Sequence, residues 1–245
     1  MTEQNAIANY LKFTGNKQAD IKVALVDCDG VLYDSMKNHT RAWVKLMKKN
    51  GVKCTRDEFY LYEGMTGAEI IKLLFKRLGK NITDDEAWEL YKVKGRYFKE
   101  LGEPAMMPGA TQVLTTLKEA GIKNVLVTGS REPSVLERID KDYEGLFAPE
   151  RVTAEDTRRG KPSPEPYMKG QLKAGAKPNE CIVIENAPLG VQSGHASGSF
   201  TIGVTTGPIP EKELYKAGAD IVYADMAALA AALPTLLEAF KAAKA

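Results

Sequence analysis

Residues 21–30 read Ile21-Lys22-Val23-Ala24-Leu25-Val26-Asp27-Cys28-Asp29-Gly30. Apart from one lysine, the first six residues are apolar, which is typical of a strand of a parallel sheet that is buried on both faces. The run stops at two aspartates and a glycine, which are residue types that favour turns. This stretch therefore predicts a buried strand whose carboxyl end opens into an acidic loop.

Beyond this strand, short apolar runs alternate with helical patterns, which indicates an α/β fold. Further strands are predicted at 125–128, near Val152, and at 182–185, 200–204 and 221–223. The stretch 36–105 contains helical patterns and no convincing strand. We therefore expect an N-terminal extension (1–20), a core domain built from 21–35 and 106–245, and an inserted helical domain (36–105).

Helix boundaries are signalled at several points of the chain. Thr55 with Glu58, and Thr83 with Glu86, have the spacing of capping boxes and predict two helix starts inside the insert. The stretch 226–245 is rich in alanine and leucine and is predicted to be helical. Pro234 is expected to open a second helix there, because proline suits the first position of a helix.

Composition excludes several functions. The 34 basic and 32 acidic residues leave a net charge of +2, which does not predict binding to nucleic acid or to an anionic membrane. Three cysteines at irregular spacing give no disulfide framework, and no run of 18 apolar residues occurs. We therefore expect a protein of the cytoplasm that binds neither nucleic acid nor membrane.

Asp27 and Asp29 carry the first chemical signal. Ligands of parallel α/β sheets bind at the carboxyl ends of strands, where these two aspartates are predicted to lie. Two neighbouring carboxylates repel each other, and Mg²⁺ is the cation that oxygen ligands of this kind favour. The alternative is that Asp-Cys-Asp-Gly is only a signal for a turn.

Three further groups follow at predicted strand ends or loops. Thr128-Gly129-Ser130 offers a hydroxyl and backbone N–H groups to a phosphate, Lys161 offers a cation, and Glu185-Asn186 offers more oxygen ligands. Each has a plainer explanation: a loop, a solvated lysine and a helix cap, respectively.

Together these four groups resemble the motifs of the haloacid dehalogenase superfamily of phosphohydrolases, and in particular its β-phosphoglucomutase-like subgroup. The first motif, Asp-x-Asp-Gly-x-Leu, is matched by 27–32, and the other three follow in the family's order. The resemblance implies a Rossmann-like core, in which a parallel sheet has helices on both faces, with an all-α cap inserted into it.

The resemblance also implies roles for these residues. Asp27 would attack phosphorus and form an aspartyl-phosphate, and Asp29 would act as general acid and base. Thr128 would hold phosphoryl oxygens, and Lys161 would screen charge. Mg²⁺ would be bound by Asp27, the carbonyl of Asp29, and the acidic motif, Glu185 and Asn186. Many relatives have aspartate in place of Asn186, so this site has one negative charge fewer.

The cap is expected to select the substrate. Sugar-phosphate mutases of the subgroup tend to carry an arginine just after the glycine that corresponds to Gly64, whereas this chain has Met65. Segments around Glu63 and 182–191 are instead similar to bacterial inorganic pyrophosphatases of the superfamily. Glu63 would then supply the carboxylate missing at Asn186. The leaving phosphate would be bound by His39 and Lys80. The alternative explanation is that Glu63 and Lys80 are simply solvated and that His39 is packed or exposed away from the site.

The leading prediction is therefore a Mg²⁺-dependent phosphohydrolase that acts on pyrophosphate or small phosphorylated metabolites, with Gly129 and Ser130 also contacting the substrate. One alternative is a β-phosphoglucomutase-like phosphotransferase. The other alternative belongs to a different class of protein: a non-catalytic regulatory protein that binds phosphate. The superfamily resemblance favours a monomer.

Overall fold

A computed structural model of the chain describes residues 1–130 and 133–243. Its centre is a six-stranded sheet in the order β3-β2-β1-β4-β5-β6, in which every pair of neighbours is parallel. The strands are β1 (Val23–Val26), β2 (Lys123–Val127), β3 (Arg151–Val152), β4 (Cys181–Glu185), β5 (Phe200–Val204) and β6 (Ile221–Tyr223). The predicted parallel α/β sheet is confirmed, with strand ends shifted by one or two residues.

β1 is buried on both faces, as its apolar run predicts. Ala24 and Val26 point into the larger hydrophobic cluster, and Val23 and Leu25 point into a second cluster on the opposite face. Successive side chains of a strand alternate between faces, so a strand covered on both sides needs apolar residues at every position.

Helices cover both faces of this sheet. Helices α1, α6 and α11 contribute to the larger cluster, whereas α8 packs on the other face through Tyr167. The core helices are α1 (Glu3–Thr14), α6 (Ala110–Glu119), α7 (Pro133–Asp142), α8 (Glu165–Ala174), α9 (Pro188–Ala196), α10 (Glu211–Ala217) and α11 (Met226–Ala242). This is the Rossmann-like arrangement expected from the sequence.

All regular secondary structure in the inserted cap is α-helical. It contains α2 (Met36–Lys49), α3 (Arg56–Leu61), α4 (Gly67–Lys76) and α5 (Asp84–Lys99), which share a hydrophobic cluster of their own around Trp43 and Phe59. The two predicted capping boxes begin α3 and α5, and a third, Thr66 with Glu69, begins α4.

The two chain segments that join cap and core run side by side. The N–H of Asp34 donates to the carbonyl of Ala105 (3.0 Å), and the N–H of Met107 donates to the carbonyl of Leu32 (2.8 Å). Because the stretch Asp27–Gly30 ends only a few residues before this crossing, the cap begins next to the carboxyl end of β1.

The predicted extension (1–20) contains α1, which packs against α11. Ala6, Ile7 and Tyr10 are buried in the main cluster, and the Tyr10 hydroxyl donates to the carbonyl of Gly198 (2.8 Å). These contacts bury one face of α1 on the core.

The prediction that Pro234 opens a second helix is wrong, because α11 runs through it. Proline has no N–H, so the carbonyl of Ala230 lacks its helical partner, at a cost of about 3 kcal/mol. Leu233 and Leu236 are fully buried on either side, and burial of each contributes about 1.5–3 kcal/mol, which offsets that cost. Residues 244 and 245 of the predicted helical stretch lie outside the described residues.

Within the described part of the chain, no helix is both long and apolar enough to cross a membrane. The three cysteines are free: Cys28 and Cys181 are buried, and Cys54 is half-buried in the cap. Burial raises the pKa of the Cys28 thiol well above its ordinary value.

Candidate active site

The predicted catalytic groups meet at the carboxyl edge of the sheet. β1 lies between β2 and β4, where the strand order reverses, and this position is the usual ligand site of such sheets. Asp27 follows β1, Thr128 follows β2, and Glu185 ends β4. The parallel register thereby converts a sequence separation of more than 150 residues into one cluster.

Lys161 connects two of these carboxylates. Its buried ammonium group donates to Asp27 Oδ1 and to Glu185 Oε1, the latter at 2.6 Å. Burial alone would lower the pKa of Lys161, but the charges of Asp27 and Glu185 raise it well above its ordinary value. The lysine is therefore a fixed cation at the point where the sequence places the transferred phosphoryl group.

Glu185 receives donors on both oxygens. Oε1 accepts from Lys161 and from the hydroxyl of Tyr167 (2.7 Å). Oε2 accepts from the backbone N–H groups of Asn186 (3.0 Å) and Ala187 (3.3 Å). This carboxylate is only 1% exposed, so it acts as a buried anchor in the floor of the site.

Asp29 is bound from the cap side. Its Oδ1 accepts from the Ser35 hydroxyl (2.5 Å) and from His39 Nε2 (3.1 Å). The ammonium of Lys94 donates to His39 Nδ1, which fixes the ring proton on Nε2. Three residues, two of them from the cap helices α2 and α5, thus orient the carboxylate of Asp29.

These contacts keep Asp29 ionised. Burial would raise the pKa of Asp29, but the His39 ring and the Ser35 hydroxyl hold it below its usual range. Burial, followed by the nearby Lys94, lowers the pKa of His39, although the charge and the hydrogen bond of Asp29 oppose the change. An ionised Asp29 is suited to accept a proton from water.

Glu63 reaches the core from the cap. It is 8% exposed, and its Oε1 accepts from Asn186 Nδ2 (2.9 Å). The opposite orientation of the amide would place two oxygens against each other, so the hydrogen bond fixes Asn186 Oδ1 on the other side. That Oδ1 is buried and has no hydrogen-bond partner among the residues that the structure describes. A cation would satisfy it.

The donor set suits a hard cation. Asp27 and Glu185 share Lys161, and Glu63 lies close enough for its pKa to be raised by the charges of both. Among the described residues, no three His, Cys, Asp or Glu side chains form a ready-made metal cluster. The predicted set instead mixes a carboxylate, an amide oxygen and a main-chain carbonyl, which are ligands that Mg²⁺ accepts together with water.

Burial and crowding of charge also affect Asp27, the predicted nucleophile. Burial, followed by the charge of Glu185, raises the pKa of Asp27 to about 7, although Lys161 opposes the change. Burial and the same carboxylates raise the pKa of Glu63 well above its ordinary value. A bound cation would favour the ionised form of both groups.

The Thr128 loop borders the same cavity. Gly129 and Ser130 line it, and Thr128 is buried beside them. The N–H of Ser130 donates to Thr128 Oγ1 (3.1 Å), so this N–H group already has an acceptor. The Thr128 hydroxyl proton is left to donate to a phosphoryl oxygen.

The cap lies closed over this edge. A cavity of about 410 Å³ separates the two domains and is lined by Asp27, Asp29, Glu63 and Lys161 together with aromatic residues of the cap. A Cβ added to Gly64 would come within 3.1 Å of the Lys161 side chain, and one added to Gly160 would come within 3.0 Å of Thr66. The cap loop therefore rests directly on the loop that carries Lys161.

Lys80 is not brought to the cavity. It is exposed in the turn after α4 and is not among the residues that line the cavity. The lysine that the structure supplies instead is Lys94 of α5, which is 3% exposed and lines the cavity. Its nitrogen lies about 5.2 Å from the rings of Trp43 and Phe98.

Sequence reasoning missed Lys94, Ser35 and Tyr167. Lys94 did leave a signal, because it shares the buried stripe of α5 with Ala87, Tyr91 and Phe98, where a lysine is unexpected. Ser35 precedes α2 as its N-cap but makes no capping hydrogen bond, since its hydroxyl is used by Asp29. The partners of Tyr167 depend on tertiary packing alone.

Comparison with known proteins gives consistent matches. A sequence model of a family described as haloacid dehalogenase-like hydrolase matches residues 21–198. Hexitol phosphatase A of Escherichia coli K12 is 34% identical over 181 residues, which cover 74% of this chain and 81% of that protein. A protein of Caldanaerobacter subterraneus named "Putative pyrophosphatase PpaX" is 26% identical and covers 84% of this chain and 91% of its own length.

Among solved structures, one described as "Putative beta-phosphoglucomutase from Bacteroides vulgatus" superposes with a TM-score of 0.93 at 42% identity. The match covers 98% of both chains. The core and the cap of this protein therefore both have close structural counterparts.

Proposed function

The chain belongs to the haloacid dehalogenase-like hydrolases, and on that premise we propose that it hydrolyses small phosphorylated compounds, with inorganic pyrophosphate as the preferred substrate and Mg²⁺ as cofactor. Enzymes of this superfamily generally use Mg²⁺. The single observation that supports the choice of pyrophosphate is the polar lining of the cap, in which Glu63, His39 and the Lys94 ammonium face Asp27 and Asp29.

The reaction proceeds in two displacements. The Asp27 carboxylate attacks one phosphorus, a bond from Asp27 to phosphorus forms, and the bond to the leaving phosphate breaks. Thr128 and Lys161 hold the oxygens of the transferred group. Water then attacks the aspartyl-phosphate, Asp29 takes its proton, and Asp27 is regenerated as phosphate leaves.

The metal would be held by Asp27, the main-chain carbonyl of Asp29 and Asn186 Oδ1, and it would supply positive charge that neutralises the phosphoryl oxygens. Glu63 contributes to this metal site from the cap, because it fixes the orientation of the Asn186 amide. Its position supports the idea that the carboxylate absent at 186 is provided by the cap. A closed cap and a complete metal site would then require each other.

The leaving phosphate would be bound by Lys94, whereas both ring nitrogens of His39, the other residue suggested by the sequence, are already used by Asp29 and Lys94. Lys94 takes the role that the sequence suggested for Lys80, because Lys94 is buried and faces the cavity. A buried ammonium surrounded by aromatic rings is poorly solvated, so an anionic substrate group gains more from it than from an exposed lysine.

We expect Glu63→Gln to lower kcat/KM for pyrophosphate on the order of 100-fold, and kcat/KM for p-nitrophenyl phosphate much less. Glutamine still accepts from Asn186 Nδ2, so cap docking persists while the negative charge is lost. Steady-state kinetics with both substrates measure this. Glu89→Gln, on the exposed side of α5, is the matched control. Equal losses with the two substrates would exclude the metal role of Glu63.

We expect Lys94→Met to lower kcat/KM for pyrophosphate about 10- to 100-fold, because a hydrogen bond to a charged group contributes about 1.5–3 kcal/mol. The matched control is Lys80→Met, which should leave kcat/KM within about twofold of the parent. Pyrophosphate kinetics of the two variants decide between the lysines. A larger loss for Lys80→Met would restore the original assignment.

Mg²⁺ binding should depend on pH. Below about pH 7 the substrate-free Asp27 holds a proton, and the cation requires the ionised carboxylate. Mg²⁺ affinity should therefore rise between pH 5.5 and 8, with more proton release at pH 6 than at pH 8.5. Calorimetric titration in buffers of different ionisation enthalpy measures both, and Asp27→Asn should remove the difference. The same affinity at both pH values would contradict the role of Asp27 as a ligand.

A second candidate is hydrolysis or transfer of a sugar phosphate. Two observations favour it: the cavity of about 410 Å³ extends beneath Trp43, Phe59 and Tyr91, and hexitol phosphatase A is a relative. Pyrophosphate, a panel of sugar and hexitol phosphates, and β-glucose 1-phosphate with trace bisphosphate would be compared. Formation of glucose 6-phosphate far faster than release of phosphate would establish the transferase instead.

A further inference from the structure

Tyr167 has no part in the scheme above, yet it contacts the floor of the site. It lies in α8, is completely buried, and its hydroxyl donates to Glu185 Oε1 at 2.7 Å. The Lys161 ammonium lies 5.1 Å from the centre of its ring. Tyrosine and lysine therefore share one oxygen of one carboxylate.

The hydrogen bonds of Glu185 can be counted. A carboxylate offers about four lone-pair sites. Lys161 and Tyr167 use those of Oε1, and the N–H groups of Asn186 and Ala187 use those of Oε2. All four sites thus have protein donors, and none is left for a metal ion.

Backbone packing holds the carboxylate in this orientation. A Cβ added to Gly190, in the first turn of α9, would lie 1.9–2.3 Å from the Glu185 carboxylate. Only glycine leaves room there, so the carboxylate is enclosed by α9 on one side and by Tyr167 on the other. These contacts fix the orientation of the Glu185 carboxylate at the edge of the cavity, which the residue helps to line.

We propose that Tyr167 is a positioning residue for phosphoryl transfer. Its hydroxyl fixes the Glu185 carboxylate, and Glu185 in turn holds the Lys161 ammonium in place beside Asp27. Glu185 therefore orients the lysine and does not bind the metal directly. This revises the metal role that the sequence suggested for Glu185. Without the hydroxyl, Oε1 has Lys161 as its sole donor. The lysine is then drawn towards Glu185 and away from Asp27 and the phosphoryl group.

The proposal rests on Asp27 and Lys161 being the catalytic pair proposed above, but it does not depend on which phosphate compound is the natural substrate. p-Nitrophenyl phosphate is therefore the substrate of choice, and the intact full chain is used. The variant is Tyr167→Phe, which keeps the ring and removes only the hydroxyl. Its matched control is Tyr10→Phe, another buried tyrosine that donates one hydrogen bond, to the carbonyl of Gly198.

Tyr167→Phe should lower kcat about tenfold and change KM less than about twofold, whereas Tyr10→Phe should keep the parent's kcat. Mg²⁺ affinity, measured by calorimetry without substrate, should stay within about twofold of the parent. In a Lys161→Met background, Tyr167→Phe should cause less than a twofold further loss, because the hydroxyl acts through that lysine.

A parental kcat for Tyr167→Phe, or full additivity with Lys161→Met, would overturn the positioning role. A change in Mg²⁺ affinity of more than about fivefold would overturn the separation of Glu185 from the metal. Asp27→Asn separates failure of the proposed catalytic function from failure of the Tyr167 role. If Asp27→Asn stays fully active, the proposed catalytic function fails. If Asp27→Asn is inactive while Tyr167→Phe has normal activity, only the role of Tyr167 fails.

Discussion

Asp27→Asn is expected to lose phosphohydrolase activity by a factor on the order of 10⁴ or more while keeping its fold. Asparagine has nearly the same shape, but its amide is not nucleophilic enough to form the bond to phosphorus. Phosphate release with p-nitrophenyl phosphate and with pyrophosphate measures the loss. A variant as active as the parent would exclude the aspartyl-phosphate mechanism and favour a different nucleophile.

The same variant tests the electrostatics of the site without a substrate. Burial raises the folded-state pKa of Asp27 to about 7, so the folded protein binds a proton more tightly than the unfolded chain does. In the parent this group therefore lowers stability as pH rises from about 4 to 7. With Mg²⁺ chelated, the free energy of unfolding of Asp27→Asn should increase relative to that of the parent as pH rises from about 4 to 7. A constant difference would show that Asp27 titrates normally.

Lys161→Met is expected to reduce activity on the order of 10³-fold and to destabilise the fold by about 3–5 kcal/mol at pH 8. Methionine has a similar length but leaves Asp27 and Glu185 buried without their shared cation. The stability loss should be smaller at pH 5, where Asp27 carries a proton in the folded protein. Denaturant unfolding at the two pH values measures this difference.

The control for this variant is Lys173→Met. Lys173 pairs with Asp156 at 2.6 Å, but the pair is partly exposed, so its loss should cost less than about 1 kcal/mol. If Lys161→Met were no more destabilising than this control, the buried pair would contribute no more than a surface pair does. Full activity of Lys161→Met would remove the lysine from the catalytic machinery.

Local patterns were sufficient to predict the sheet and the meeting of polar residues at its carboxyl edge. An apolar run that ends in polar groups marks the carboxyl end of a buried parallel strand, and this holds for β1 and β4. Because such ends share one edge, Asp27 and Glu185 could be placed together from the sequence. Capping boxes located α3 and α5 for a similar reason, since both partners lie within one turn.

The failures involve tertiary packing. Lys80 and Lys94 are both lysines in helical surroundings, and only the packing of α5 against α2 brings Lys94 to His39. Pro234 stays inside a helix because neighbouring leucines are buried against α1 and α6, which helix propensity alone does not include. Both outcomes are decided by contacts between helices that are far apart in sequence.

The unequal burial of the three thiols offers a means of observing the cap directly. Cys28 lies beneath the catalytic loop and Cys181 in the sheet, and burial raises the pKa of both. Cys54 is half-buried between α2 and α3; burial also raises the pKa of its thiol, but it is the most exposed of the three. A maleimide fluorophore should therefore attach at Cys54 in the native protein without any cysteine being replaced. Its emission would follow opening and closing of the cap during turnover, at a position outside the lining of the cavity.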